Sequence, residues 1–373
     1  MELGIFAQGF VPHWRVAADP DAEHNVLMGE LAQVQAADRA GFKYAWVSEH
    51  HFLEEYSHLS SSDVFISFAL ATTERIHVGA GIFNPLPPVN HPAKVAERVA
   101  MLDHLSEGRF EFGIGRGAGS HEVTGFGIPD TDSTRAIFEE VAPEFAKMWR
   151  QTSYRHDGVS FSLAERNVLP KPWTKPHPPM WQAAGNPATW EMAAHKGLGI
   201  LGFSLTGAAG MEDSVRTYKE AIADAEPIGD YVNDNVMLAG GACICLEDGA
   251  LARRVLLDSR QHYFSSLVYR YHDTFPRRDG IPVWPEIIPE FDEQRIEAMI
   301  DAGYVLCGDP DEVLTQIRRV EASGADQLCV TTFTSPQDVA MATIENLGRY
   351  IIPEIDTDPV HRSTRMRELA FPA

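Results

Sequence analysis

Positive charge is the first thing this chain is short of. Lys and Arg number 31 against 53 Asp and Glu, a formal charge of −22 at pH 7 with His neutral. Nucleic acid and anionic membranes need a basic stripe on their partner, and none is visible, so neither is expected to bind. Cysteine is nearly as scarce. Cys243, Cys245, Cys307 and Cys329 are too few for a disulfide framework in 373 residues, and no pair has CxxC spacing. No apolar run reaches the roughly 18 residues that span a bilayer. The N-terminal Leu3-Gly4-Ile5-Phe6 reads as a strand rather than as a basic, then apolar, export signal. Together these absences lead us to expect a protein of the reducing cytoplasm.

What the chain does contain is alternation. Strand-like apolar runs fall at 3–7, 44–47, 76–82, 109–115, 180–184, 199–203, 236–245 and 327–332, with helical stretches between them. The first helix runs from 25 to 40, with Leu27, Leu31 and Val34 on one face and Gly41 as its stop. Another opens at His91-Pro92, where a proline in the first turn sacrifices no hydrogen bond, and closes at Gly108. Eight strand–helix pairs predict an α/β fold, a (β/α)8 TIM barrel, as one domain over residues 1–373. An open, doubly wound sheet is the alternative. Insertions follow the fourth and seventh strands. The first holds a hairpin around Asp157-Gly158 and the proline-rich 170–179. The second, 273–290, contains Pro276, Gly280, Pro282, Pro285 and Pro289 and is either a lid or a surface excursion.

Barrel sites form where strands end and βα loops begin. Three strand ends here are unusual. The fifth, Ala183-Ala184-Gly185-Asn186-Pro187, runs directly into a helix. Small residues admit a phosphate to the backbone, and the helix start offers free N–H groups and a positive dipole end, with Asn186 and Thr189 as added donors. Asn before Pro is equally an ordinary helix cap. The fourth end, Gly113-Ile114-Gly115-Arg116-Gly117-Ala118-Gly119, leaves Arg116 little to pack on, which suits a cleft or an anionic ligand. Arg135 opens a helix, where a cation opposes the dipole, so it is either an anion ligand or a solvated arginine. The loose GxGxxA pattern at 113–118 is not followed by the helix and acidic residue that dinucleotide binding requires.

The second end is Ser48-Glu49-His50-His51-Phe52. A metal site would need further His and carboxylate ligands from other strands, and most strand ends lack them, so no metal is expected. Adjacent histidines on extended backbone point to opposite faces, so one is expected to enter the barrel mouth as an acid/base group while the other packs.

The same segments, in this order, resemble the bacterial-luciferase-like monooxygenases. The matching stretches run from Ala40 to Phe42, Trp46 to Phe52, Thr73 to Gly79, His91 to Glu97, Leu102 to Phe110, Gly113 to Gly117, Phe126 to Gly127, Ser133 to Arg135 and Ala193 to Gly197. Coverage is good over residues 1–205, and beyond that only the barrel rhythm and closing helix match. The resemblance implies FMN at the C-terminal ends of the strands. Arg116, Arg135, Asn186 and Thr189, with backbone from Ala184 and Gly185, would hold its phosphate. Ala80-Gly81-Ile82 would underlie the isoalloxazine, at a non-prolyl cis bond, and His50 would be the active-site histidine. It further implies a two-component FMN-dependent monooxygenase, with O₂ as co-substrate and reduced FMN from a separate flavin reductase. The substrate would be a small organic, carbonyl-containing molecule. A homodimer is expected through helices at 63–72 and 92–105, with Phe65, Phe68, Val99 and Leu102 as candidate contacts. Gly115 replaces the reactive cysteine of the true luciferases, Gly119 replaces an aromatic residue, and their mobile lid has no match. Light emission and a fatty-aldehyde substrate therefore do not follow. The alternatives are a deazaflavin-dependent hydride-transfer enzyme on the same barrel, from which the Glu49-His50-His51 cluster leans away, and a non-catalytic flavin-binding protein.

Overall fold

Eight parallel strands pair in sequence and close into a ring. They are β1 (Glu2–Ala7), β2 (Tyr44–Val47), β3 (His77–Ala80), β4 (Phe110–Ile114), β5 (Met180–Ala184), β6 (Gly199–Gly202), β7 (Val236–Cys245) and β8 (Gln327–Thr331). Pairing of β1 with β8, from Glu2↔Gln327 to Ile5↔Val330, closes the barrel and excludes the open sheet. The computed structural model describes residues 1–117, 119–203, 207–275 and 279–372; Ala118 of the glycine-rich turn and Pro276 of the second insertion lie outside them.

Strand periodicity sorts side chains between two cores. On β2, Tyr44 and Trp46 point inward to Trp181, Leu201 and Met237, whereas Ala45 and Val47 face the helices. Gly79 on the next strand makes room for the indole, because a Cβ there would lie 2.4 Å from the Trp46 ring. Truncating so large a buried ring costs about 3–5 kcal/mol. The first long helix, Ala22–Ala40, ends as expected at Gly41, whose φ of 92° is left-handed. His91 caps the helix Pro92–Leu105 by accepting from the Ala93 N–H at 3.2 Å. That helix stops before Gly108, because Glu107 and Gly108 turn the chain at φ of 55° and 87°.

Two elements escape the sequence reading. The strand Leu306–Gly308 pairs with Cys243–Cys245 at the end of β7 and is too short to show a period. It belongs to a smaller core with Ile244, Leu256, Ile296 and Ile300. A C-terminal helix, Arg362–Ala370, packs under the N-terminal ends of the strands, where Ser363 Oγ donates to Glu111 Oε1 at 2.5 Å. The hairpin in the first insertion is present as Tyr154–Asp157 and Ser162–Arg166. All four cysteines are buried and free. Among the described residues, no helix is long and apolar enough to cross a membrane.

Candidate active site

One cavity at the C-terminal ends of the strands collects His50, Gly81, Arg116, Ala184, Gly185, Asn186 and Thr189. Ala80 and Arg135 do not line it. Ala80 faces the helix core just before Gly81, and Arg135 is exposed at the start of the helix Ser133–Val141. The Gly81–Ile82 peptide is cis, at the position the sequence indicated.

The β4–β5 side of the cavity is cationic. Arg116 is half-buried, and its Nη1 donates to Thr134 Oγ1 at 3.0 Å. Among the described residues it has no carboxylate within ion-pairing distance. Burial, and then the nearby Arg135 charge, pull its guanidinium below the usual arginine range, partly offset by Glu139 and Asp132. Two neighbouring like charges, neither ion-paired among the described residues, favour an anion beside them. Asn186 is the helix cap that sequence allowed: its Oδ1 accepts from Thr189 N–H at 3.0 Å and from Thr189 Oγ1 at 3.1 Å. That leaves the Asn186 side-chain N–H₂ as a donor beside the start of the helix Pro187–His195.

Opposite chemistry sits after β2. The strand ends at Val47 and the chain turns sharply, with φ of 65° at Phe52 and 48° at Glu54. Strict alternation therefore does not apply beyond the strand, and both His50 and His51 line the cavity, contrary to the expectation of one. His51 does also pack, edge-on to Phe126 at 4.9 Å, with Nε2 3.5 Å from Glu49 Oε1. His50 Nδ1 meets both oxygens of Glu122, at 3.2 and 3.3 Å. Its ring lies 4.9 Å from Tyr56 and 5.4 Å from His272.

Glu122, Tyr56 and His272 were not picked out from the sequence. Glu122 lies on a six-residue helix, Ser120–Gly125, with no motif to mark it. His272 directly follows the helix Gln261–Tyr271 and immediately precedes the second insertion, the only signal it carries. Burial, with His50 adding to it, pushes its imidazole down to about 3, and neither ring nitrogen has a partner among the described residues. The insertion is wall rather than excursion. Thr274 and Phe275 line the cavity, and the Phe275 ring lies so close to Gly185 that a Cβ there would fall 1.7 Å away. Gly119 is explained the same way: its Cβ would lie 1.8 Å from the Tyr271 carbonyl oxygen, so an aromatic residue has no room.

A closed parallel barrel whose mouth has a cationic end, an imidazole–carboxylate pair and an aromatic wall suits an oxidoreductase that uses a flavin. The family model for luciferase-like monooxygenases matches residues 1–327, and the chain belongs to that family of oxygenating enzymes. It is 29% identical to the oxygenase component of flavin-dependent trigonelline monooxygenase from Acinetobacter baylyi, over 94% of this chain and 96% of the relative. It is 28% identical to limonene 1,2-monooxygenase from Rhodococcus erythropolis, over 84% and 76% respectively. In fold it is similar to the FMN-bound oxygenating constituent of 3,6-diketocamphane monooxygenase from Pseudomonas putida. That match has a TM-score of 0.74 and 22% identity, over 95% of this chain and 98% of the other.

Proposed function

We propose that this chain is the oxygenase of a two-component FMN-dependent monooxygenase, using reduced FMN and O₂ to oxygenate a small carbonyl-containing molecule. One observation carries the reading: a single cavity offers unpaired guanidinium charge at one side and the His50–Glu122 pair at the other. A cofactor with an anionic tail and a redox-active ring needs both. Arg116, Arg135, Asn186, Thr189 and the Ala184–Gly185 backbone would hold the phosphate, with Gly81 under the ring. When bound, reduced FMN supplies the two electrons that activate O₂. The protein's part is to orient that ring, keep water out and manage one proton.

His50 is the group that manages it. With Nδ1 turned to the Glu122 carboxylate, Nε2 is the nitrogen left for the cavity, able to take or give a proton there. A separate reductase is supported by the trigonelline relative, whose name marks an oxygenase component. Four free thiols suit a reducing cytoplasm.

A homodimer is part of this reading, with revised contacts. Val99 and Leu102 are buried in the chain's own core, whereas Val64, Phe68, Met101 and Leu105 on the same two helices are 50–72% exposed. An apolar strip of that kind favours a self-complementary contact.

The test is to titrate the protein with FMN, reduced FMN and a deazaflavin by fluorescence, then follow O₂ uptake and product formation over a ketone panel. Deazaflavin binding without FMN binding would replace oxygenation by hydride transfer. FMN binding with O₂ converted only to hydrogen peroxide, whatever the ketone, would favour a flavin-binding protein without oxygenase activity.

A further inference from the structure

We propose that the substrate is a neutral, two-ring aromatic compound with one carbonyl or hydroxyl group, held in a second chamber with that group on the Gln8 amide. The proposal rests on the flavin reading above for what lies beside the chamber, and on the chamber itself for what it takes.

The chamber shares Phe6, Tyr56, Phe203 and Ala239 with the first cavity, but lies toward β1, β7 and β8, away from Arg116 and Asn186. Its contents would therefore sit against those of the first cavity and near His50, whose ring is 4.9 Å from Tyr56. Aromatic side chains dominate its wall. Phe264 and Phe333 meet edge to face at 4.7 Å, an arrangement that accepts a further planar ring. The second insertion completes the wall with Ile281 and Ile288, joined by Phe291 just after it. Arg295 is the only charged residue among the described residues lining the chamber. It is exposed, and its guanidinium lies over the Phe291 ring at 5.0 Å, at the rim. An ion drawn inside would lose its water without a partner.

Size and polar placement narrow the occupant: Gln261, half-buried, also lines the chamber with its Oε1 unpartnered among the described residues, but Gln8 is the amide fully buried in the wall. The chamber measures about 250 Å³, against roughly 150 Å³ for an apolar cavity that takes one benzene ring. Gln8 lines it and is 4% exposed, yet its Oε1 has no hydrogen-bond partner among the described residues. Its backbone is fixed from behind: both Glu30 carboxylate oxygens accept from the Gly9 N–H at 3.0 and 3.1 Å, and Ser48 Oγ donates to Gln8 O. A primary amide held in an apolar wall can donate to a carbonyl or accept from a hydroxyl, and an unpaired one is costly.

Ligand-observed NMR titration with 1-tetralone, tetralin and 1-tetralone-6-carboxylate tests this without turnover. The ketone is expected to bind wild type about tenfold more tightly than tetralin, one hydrogen bond's worth, and more tightly than the carboxylate. Gln8→Leu should erase the preference over tetralin. Ile288→Trp should fill the chamber and lower ketone affinity at least about tenfold, with FMN affinity unchanged. Ile281→Trp, at a half-buried loop position, serves the same purpose if Ile288→Trp does not fold. Wild-type ketone affinity in a folded tryptophan variant, or carboxylate binding as tight as the ketone's, would overturn the chamber assignment. Ketone binding as expected in a protein that takes no flavin would sink the flavin reading and leave the chamber standing.

Discussion

His50 and Glu122 form a forked contact, with Nδ1 of the imidazole 3.2 and 3.3 Å from the two carboxylate oxygens. The same carboxylate accepts the His51 N–H at 2.7 Å, and both side chains are largely buried. Burial alone would raise the Glu122 carboxyl. The charge and hydrogen bond of His50, the His51 amide and His272 outweigh it and hold Glu122 below the usual carboxylate range. Glu122 is therefore an anion at neutral pH that keeps a proton on Nδ1 and fixes the ring.

His50→Ala is accordingly expected to fold, bind FMN and lose oxygenated product by about 10²–10⁴-fold, with hydrogen peroxide rising in its place. Glu122→Gln keeps an acceptor for Nδ1 without the charge and should lose less. Melting temperature, FMN titration and product yield on one preparation decide it. Unchanged yield at a lowered melting point would make His50 a packing residue.

Arg116 and Arg135 are expected to differ as phosphate ligands. Arg116 is half-buried in the cavity wall, and its loss in Arg116→Ala should weaken FMN binding by about 1.5–3 kcal/mol. Arg135 is exposed and acts from outside the lining, so Arg135→Ala should cost less and its effect should fade with added salt. Equal losses in titrations at low and high salt would show that Arg135 moves into the cavity when FMN binds.

The sequence carried the barrel because its signal is local. Tyr44–Val47, Met180–Ala184 and Val236–Cys245 are apolar runs bounded by turn residues, and their strands fall on the expected bounds. Leu306–Gly308 is three residues long and owes its pairing to the far half of β7, a tertiary effect. The site divides in the same way. His50, Arg116 and Asn186 sit directly after strands, where position alone predicts a place in the mouth. Glu122 and His272 become site residues only through approach to His50 across 72 and 222 residues of sequence, whereas Gln8 directly follows β1 and was overlooked although its position marked it. The Val99 and Leu102 expectation failed because helical periodicity shows that a face is apolar and does not say whether barrel or partner covers it.

Phe68 is 61% exposed on the helix Ser62–Ala71, and Leu105 is 72% exposed at the end of Pro92–Leu105. If these helices form the dimer contact, Phe68→Glu places a charge where water should be excluded. Such a change at a contact centre typically costs about 2 kcal/mol or more of association. Light scattering at micromolar concentration should report twice the chain mass for wild type and one chain mass for the variant. A wild-type monomer would remove the dimer, and a dimeric Phe68→Glu would move its interface elsewhere.

His272 makes a prediction about acid. Burial first, and then neighbouring His50, lower its imidazole to about 3, against an ordinary 6.5 in the unfolded chain. A base whose folded value is depressed contributes stability above 6.5 and loses it as pH falls toward 3, because the unfolded chain takes up a proton that the folded one refuses. His272→Phe keeps a ring of similar shape and removes that proton. The variant's stability relative to wild type should therefore climb as pH drops from 7 to 5, by up to about 1.4 kcal/mol per pH unit below 6.5. Urea titrations of the flavin-free protein at several pH values measure the difference directly, and background titrations common to both proteins cancel. A difference that stays level across that range would mean that His272 takes a proton in the folded protein, with a ring nitrogen open to water through the cavity.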